Sequence, residues 1–242
     1  MASKSTKLHD EIWELACNFA RVAIRTKQDW TEVRSLPSSF RVLLLIDMNG
    51  TLLYRSKTPL NGPYVHVFNN TYYYHRPHVR KFLQWLQTYR SWIDIAFYTS
   101  MTHKNAEMGA NHLLKNMKPI YIYDQAMNKS DPEGPNHWSM MRDLPRIWST
   151  ENSPGYGHSE RTTIMIDDSL MKMREYPDNA IIIPEFSESM VQGGDDVLEQ
   201  LQRVLQLIFA EAVISRHRYD FDIRCLLKAH EHELVFDGGE HI

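Results

Sequence analysis

The run Leu43-Leu44-Leu45-Ile46-Asp47-Met48-Asn49-Gly50-Thr51 constrains the fold more than any other stretch of this chain. Its apolar residues are consecutive rather than alternating, which suits a strand buried on both faces of a parallel sheet. Gly50 permits a sharp turn immediately behind it. Asp47 is thereby expected at the carboxyl end of a central strand, the edge where open α/β sheets bind their ligands. A carboxylate in that place can attack phosphorus and form an aspartyl-phosphate.

The rest of the chain reads as alternating strands and helices around that element. Apolar residues at helical spacing over 6–26 (Leu8, Ile12, Leu15, Phe19) predict a helix packed on the core. Tyr64–Phe68 and Thr71–Tyr74, separated by Asn69-Asn70, predict a β-hairpin with a type I′ turn, since asparagine tolerates positive φ. Pro77 suits the first position of a helix whose buried face is Val79, Phe82, Leu83 and Leu86. Strands are expected at 93–98, delivering Thr99 and Ser100, at 120–123, at 162–166, delivering Asp167 and Asp168, and at 180–183. Residues 197–209 carry a regular apolar stripe and close the pattern as a helix. Such alternation implies a doubly wound parallel α/β sheet. The spacers 52–76 and 119–141 hold no second globular domain, so only a small hairpin insertion and no large cap is expected. The division is residues 1–36 as N-terminal helix and connector, 37–215 as the α/β domain, and 216–242 as C-terminal helix and tail. Residues 151–160, rich in Ser, Gly and Pro, read as the long flexible loop.

Net charge of −3 and a pI near 6.5 supply no general pull toward nucleic acid or membrane. The nearest basic patch, Arg216-His217-Arg218, reads as a solvated helix end. Two widely separated cysteines, Cys17 and Cys225, make no disulfide framework. The acidic residues Asp10, Glu11 and Glu14 interrupt the N-terminal lysines, so the segment fits neither a signal peptide nor a good transit peptide. Cytosol or nucleus is the default location, with the mitochondrion left open. The sequons at Asn69 and Asn128 are then chance matches. The histidines at 75, 78, 103, 112 and 137 lack metal-ligand spacing.

The order of several further segments carries a resemblance. Lys57-Thr58-Pro59-Leu60-Asn61, Arg76-Pro77-His78-Val79, Phe97-Tyr98-Thr99-Ser100, Ile166-Asp167-Asp168-Ser169, Pro177-Asp178-Asn179-Ala180 and Ile183-Pro184-Glu185-Phe186 follow the strand-Asp-turn element in turn. Together, over residues 40–190, they resemble the CTD-phosphatase-like (FCP/SCP, NLI-interacting-factor-like) Ser/Thr phosphatase branch of the haloacid dehalogenase superfamily. Arg142-Asp143-Leu144-Pro145-Arg146-Ile147-Trp148 is similar to a segment of that branch's ubiquitin-like-domain member.

The resemblance implies Asp47 as nucleophile, and Mg²⁺ held by Asp47, the backbone carbonyl of Asn49 and one of Asp167 or Asp168, with no means in the sequence to choose between these two. It implies Thr99 and Ser100 as phosphate-binding residues. Two positions depart from the pattern. The branch expects a second aspartate, a general acid and base, where this chain has Asn49, and an amide cannot donate a catalytic proton. It expects a lysine where Arg142 stands, with Lys118 and Lys172 as lesser candidates; arginine keeps the charge but not the point-like head. Two functions compete on these residues. One is a Mg²⁺-dependent phosphoprotein phosphatase impaired at Asn49, the other a pseudophosphatase kept as an interaction or assembly subunit. An uncapped site favours a phosphoprotein substrate or protein partner over a small metabolite, and no direct nucleic-acid or membrane binding is expected.

Overall fold

The computed structural model describes residues 41–62, 64–215 and 220–236. The helix expected over 6–26, the Arg216-His217-Arg218 patch and the chain after 236 lie outside the described residues. In chain order the elements are β1 (Val42–Ile46), β2 (Leu53–Ser56), β3 (His66–Phe68), β4 (Thr71–His75), α1 (Val79–Leu86), β5 (Ile93–Tyr98), α2 (His103–Leu113) and β6 (Tyr121–Tyr123). There follow β7 (Lys129–Ser130), β8 (Met140–Met141), α3 (Leu144–Ser149), β9 (Thr163–Asp167), β10 (Ala180–Ile182), α4 (Glu188–Gly193), α5 (Val197–Ser215) and α6 (Ile223–Ala229).

Five strands form a parallel sheet in the order β10-β9-β1-β5-β6, so the apolar run is the central strand, as expected. Its side chains alternate between two cores. Val42, Leu44 and Ile46 pack with α1, α2, α5 and α6 on one face, whereas Leu43 and Leu45 pack with Tyr98, Tyr123, Met165, Leu144 and Ile147 on the other. Every residue of β1 is buried, which explains why the sequence there is continuous rather than alternating. The same parity sends Asp47, Asp167 and Tyr98 to the second face, one step beyond Leu45, Met165 and Ala96.

Residues 53–75 form the small insertion, an antiparallel sheet of order β2-β4-β3. Asn69 and Asn70 both have positive φ, 47° and 53°, as a type I′ turn requires. Tyr73 and Tyr74 are both buried although neighbours face opposite ways, so this hairpin is covered on both faces. Helix α1 starts two residues later than Pro77, because His78 takes a left-handed conformation (φ 62°) and stands at the N-cap position without a side-chain capping bond. The 151–160 segment has no regular structure, yet it is tied down: the Gly155 N–H donates to the Tyr123 hydroxyl (2.8 Å), and the His158 ring meets Asp94 (3.1 Å). Residues 119–141 add only β6, a 3₁₀ turn and the short β7–β8 ribbon. Among the described residues no large cap covers the carboxyl edge of the sheet, and no helix is long and apolar enough to cross a membrane.

Candidate active site

Asp47 follows the last residue of β1, Thr99 the last of β5, and Asp167 ends β9. Adjacent parallel strands in register bring these three to one edge, and the Asp47 N–H donates to the Ile166 carbonyl at 2.9 Å. Asp47, Asp167 and Asp168 each offer a carboxylate oxygen, and these oxygens lie within 4.8 Å of one another. Three carboxylates this close require cations, and the chain supplies two. The Arg142 guanidinium, fully buried, reaches Asp47 Oδ1 at 2.9 Å through Nη2 and Asp167 Oδ2 through both Nε (2.8 Å) and Nη2 (2.6 Å). The Lys172 ammonium lies 3.3 Å from Asp168 Oδ1, 3.7 Å from Asp167 Oδ1 and 3.9 Å from Asp47 Oδ2. Lys118, the other lysine candidate, is elsewhere, its backbone bonded to the Gln87 side chain.

Local backbone geometry makes the cluster possible. Gly50 has φ +89°, and a Cβ there would stand 2.1 Å from Asp168 Oδ2, so glycine answers both the turn and the close approach of that carboxylate. Arg142 and Lys172 sit on neighbouring segments, joined by the Arg142 N–H donating to the Lys172 carbonyl at 3.0 Å. Thr99 is buried, and its hydroxyl accepts from the Met101 N–H at 3.3 Å. Asp47 Oδ1, Thr51 Oγ1, Ser100 Oγ and Arg142 Nη2 are buried without an aligned hydrogen bond from the protein. All four belong to the segments that converge on this edge; Asp47 Oδ1 and Arg142 Nη2 still meet as an ion pair, whereas the Thr51 and Ser100 hydroxyls call for a ligand or a solvent partner.

The charges tune one another. Burial pushes the Asp47 carboxyl up, opposed by Arg142 and Lys172. Burial also works against Asp167, but Arg142 and then Lys172 outweigh it and hold that carboxyl low. Asp168 has no such clamp: burial and the charge of Asp47 push it up to about 7. Arg142 and Lys172 are both held protonated by the carboxylates in spite of their burial. The trio is thus unevenly compensated: Arg142 serves Asp47 and Asp167, and Asp168 has Lys172 at 3.3 Å.

A family model, NLI interacting factor-like phosphatase, matches residues 42–214. The chain belongs to this family. It is accordingly a member of the haloacid dehalogenase superfamily, as the ordered motifs implied. No curated protein matches it. Among solved structures it is similar to Fcp1, an essential RNA polymerase II CTD phosphatase, at 16% identity over 87% of this chain and 58% of that one, with a TM-score of 0.44. Fission yeast Fcp1 bound to beryllium fluoride gives 14% identity, 87% and 62% coverage and a TM-score of 0.40. A HAD superfamily (subfamily III A) hydrolase from Legionella pneumophila gives 14% identity, 80% and 98% coverage and a TM-score of 0.37. The chain spans less than two thirds of the length of either Fcp1 structure.

In this member of the NLI interacting factor-like phosphatases, three residues bear on the site that sequence reasoning did not single out. Arg55, on β2, donates from Nε to Asn49 Oδ1 at 3.0 Å. Asn128, buried, accepts from Arg142 Nη1 at 3.0 Å and donates to the Thr99 carbonyl at 2.9 Å, joining two candidate residues through one amide. Tyr98 places its ring 4.8 Å below the Arg142 guanidinium, and its hydroxyl is fixed between the Met127 carbonyl and the Asp143 N–H. Tyr98 lay within one of the ordered segments with no role assigned to it, Asn128 carried a sequon that pointed elsewhere, and Arg55 carried no signal.

Proposed function

We propose that this protein is a Mg²⁺-dependent phosphatase-like protein for phosphoserine or phosphothreonine in proteins, with Asp47 as nucleophile and turnover limited by Asn49. The observation that carries the reading is the trio of Asp47, Asp167 and Asp168 at the carboxyl edge of the sheet, the first two buried and clamped by Arg142, the third facing Lys172. Mg²⁺ takes hard oxygen donors, and the residues fit it: the trio is all carboxylate, with one oxygen of each residue within 4.8 Å of the others. Asp47, Asp168 and the backbone carbonyl of Asn49 would hold the ion. Asp167, whose Oδ2 is taken up by Arg142, would orient this shell. When bound, Mg²⁺ supplies neutralisation of the charge on a phosphoryl group.

The chain's own residues account for the charges, whereas the protons must be exchanged with solvent. An Asp47 oxygen attacks phosphorus, the bond from phosphorus to the serine or threonine oxygen breaks, and that oxygen leaves with the electron pair. The Thr99 hydroxyl, with Ser100 Oγ beside it in sequence, donates to the phosphoryl oxygens. Arg142 balances the charge of nucleophile and phosphate. The leaving oxygen requires a proton, and the water that later hydrolyses the aspartyl-phosphate must lose one. Asn49 can neither give the first nor take the second, so bulk water supplies the one proton and accepts the other, and both steps are slow. Among the described residues no large cap covers this edge, and an open edge admits a phosphorylated side chain on a large partner. One observation favours the rival reading of a pseudophosphatase kept as an interaction subunit: Arg55 occupies the Asn49 side chain, so the amide is integrated in the site.

Two measurements test the proposal. Mg²⁺ should raise the melting temperature of the wild type, and Asp47→Asn should shrink that rise, since an ion that binds only the folded state stabilises it. Equal stabilisation of both proteins would remove the metal from this site. Hydrolysis of an aryl phosphate should be slow, dependent on Mg²⁺ and abolished in Asp47→Asn; activity surviving in that variant would remove Asp47 as nucleophile.

A further inference from the structure

Lys172 is a second cation in a site where Arg142 already meets the nucleophile. The two differ in how they are held. Arg142 is fully buried and fixed by Asp167, Asp47, Asn128 and the Tyr98 ring. Lys172 keeps 27% of its side chain exposed, and its ammonium stands between 3.3 and 3.9 Å from one oxygen of each member of the trio. Its backbone is anchored where it is. The residue lies in a 3₁₀ turn, Leu170–Met173, with Met173 buried, and its carbonyl accepts from the Arg142 N–H. The stem is therefore fixed at the mouth of the cluster while the flexible four-carbon arm can turn outward without disturbing any strand.

We propose that Lys172 is a tethered counter-cation of the acidic trio: its ammonium competes with a divalent ion for the same three carboxylates and holds the site assembled when no such ion is bound. This rests on the reading above that the trio is a metal site. The charge count gives the direction. With all three carboxylates ionised, Arg142 and Lys172 leave a net charge of −1, which a divalent ion turns to +1; without Lys172 the count runs from −2 to 0. An ammonium and a divalent ion sharing these oxygens repel each other, so the ion gains if the ammonium leaves. The metal-free site loses by the same change, since like charges a few ångströms apart in a poorly screened place repel strongly. Arg142 does not compete in this way, because it contacts Asp47 and Asp167 from the buried side and has nowhere to go.

The test is a MgCl₂ titration at constant ionic strength, read by thermal unfolding and by calorimetry, on the full chain and on Lys172→Met, Lys172→Gln and Lys172→Arg. Without divalent ion, Lys172→Met and Lys172→Gln should melt below wild type. Their Mg²⁺ midpoint should fall by at least about tenfold, the scale set by removing one opposing unit charge at this range. Mg²⁺ should restore most of the lost melting temperature. Lys172→Arg, which keeps the charge, should titrate near wild type. A midpoint that is unchanged or higher in whichever neutral variant folds overturns the proposal while leaving the metal site intact, and so does a neutral variant as stable as wild type without Mg²⁺. If neither neutral variant folds at any Mg²⁺ concentration, Lys172 is a structural residue and the competition is refuted. If wild type itself does not respond to Mg²⁺, the metal reading falls and the proposal with it.

Discussion

Restoring a carboxylate at position 49 is the perturbation that reports most on this site. Asn49→Asp returns a group able to protonate the leaving oxygen and then to activate water, roles whose loss costs roughly 10²–10⁴ in rate. The structure limits the gain. Arg55 Nε is 3.0 Å from Asn49 Oδ1, so a new carboxylate would be born in an ion pair. An opposite charge at that distance lowers a carboxyl pKa by about 1–3 units. Starting from an ordinary value near 4, the protonated fraction at neutral pH then falls by a further factor of about 10–10³. The paired aspartate is a poor acid, though it remains an anion that can accept a proton from water.

This separates two substrates and two variants. For an aryl phosphate the leaving group needs little protonation, whereas the alkoxide of phosphoserine needs a full proton. Asn49→Asp alone should therefore raise Mg²⁺-dependent turnover modestly on both. Adding Arg55→Met should raise kcat/KM on a phosphoserine peptide by about tenfold or more, because releasing the ion pair restores the acid, while changing the aryl phosphate far less. The assay is phosphate release at matched Mg²⁺, with circular dichroism to confirm the fold. An equal rise on both substrates would mean that Arg55 acts on binding or packing and not on the proton. If both variants stay as inactive as the parent on every substrate tried, the phosphatase reading gives way to the scaffold one.

Three further outcomes follow from the geometry. Arg142→Met should destabilise the protein by about 3–5 kcal/mol, because it leaves Asp47 and Asp167 buried without their main partner; urea unfolding measures it, and a loss under 1 kcal/mol would mean the clamp is dispensable. Gly50→Ala should cost both stability and the Mg²⁺ response, since the new Cβ meets Asp168 and the backbone there has positive φ; an unaltered Mg²⁺-induced melting shift would show that Asp168 is not a ligand. At Asp94, burial opposes the charged form, but bonds from Arg41 and His158 prevail and bring the carboxyl down to about 2. Its folded pKa is depressed, so its stabilisation, on the order of 2 kcal/mol, is complete above the ordinary range near 4 and is lost as pH falls through 2. The difference in urea midpoint between wild type and Asp94→Asn should accordingly be present at pH 5 and shrink toward pH 2; a constant difference would refute it.

Much of the frame could be read before any coordinates, because it is written in local periodicities. The consecutive apolar residues of β1, the Asn69-Asn70 turn and the stripe of α5 each follow from rules that act over a few residues, and each appears in the structure. The gathering of Asp47, Thr99, Asp167 and Asp168 was legible for the same reason, since all four sit at or just past strand ends and a parallel sheet aligns those ends. What was not legible depends on side chains meeting across long separations. Arg142 and Lys172 were two candidates for one role, and both turn out to face the trio, because the single backbone bond from the Arg142 N–H to the Lys172 carbonyl pairs two segments that no periodicity connects.

Asn128 shows how the two kinds of information differ. As a sequence element it is a sequon, a pattern of surface loops. In the fold it is buried, and its amide satisfies the Thr99 carbonyl with one end and the Arg142 guanidinium with the other. An amide suits that place because it is both donor and acceptor without charge. A carboxylate would add a negative charge beside an already crowded acidic trio, and an apolar residue would leave a buried guanidinium N–H without a partner. The same argument applies at Asn49, where an amide accepts from Arg55 and adds no charge. With two cations and three carboxylates already in place, a fourth acid at position 49 would leave the site more anionic and more dependent on a bound cation. On the proposed reading, Asn49 and Lys172 work in one direction: both let the site stand with less divalent metal, and Asn49 forfeits the proton relay that fast turnover needs.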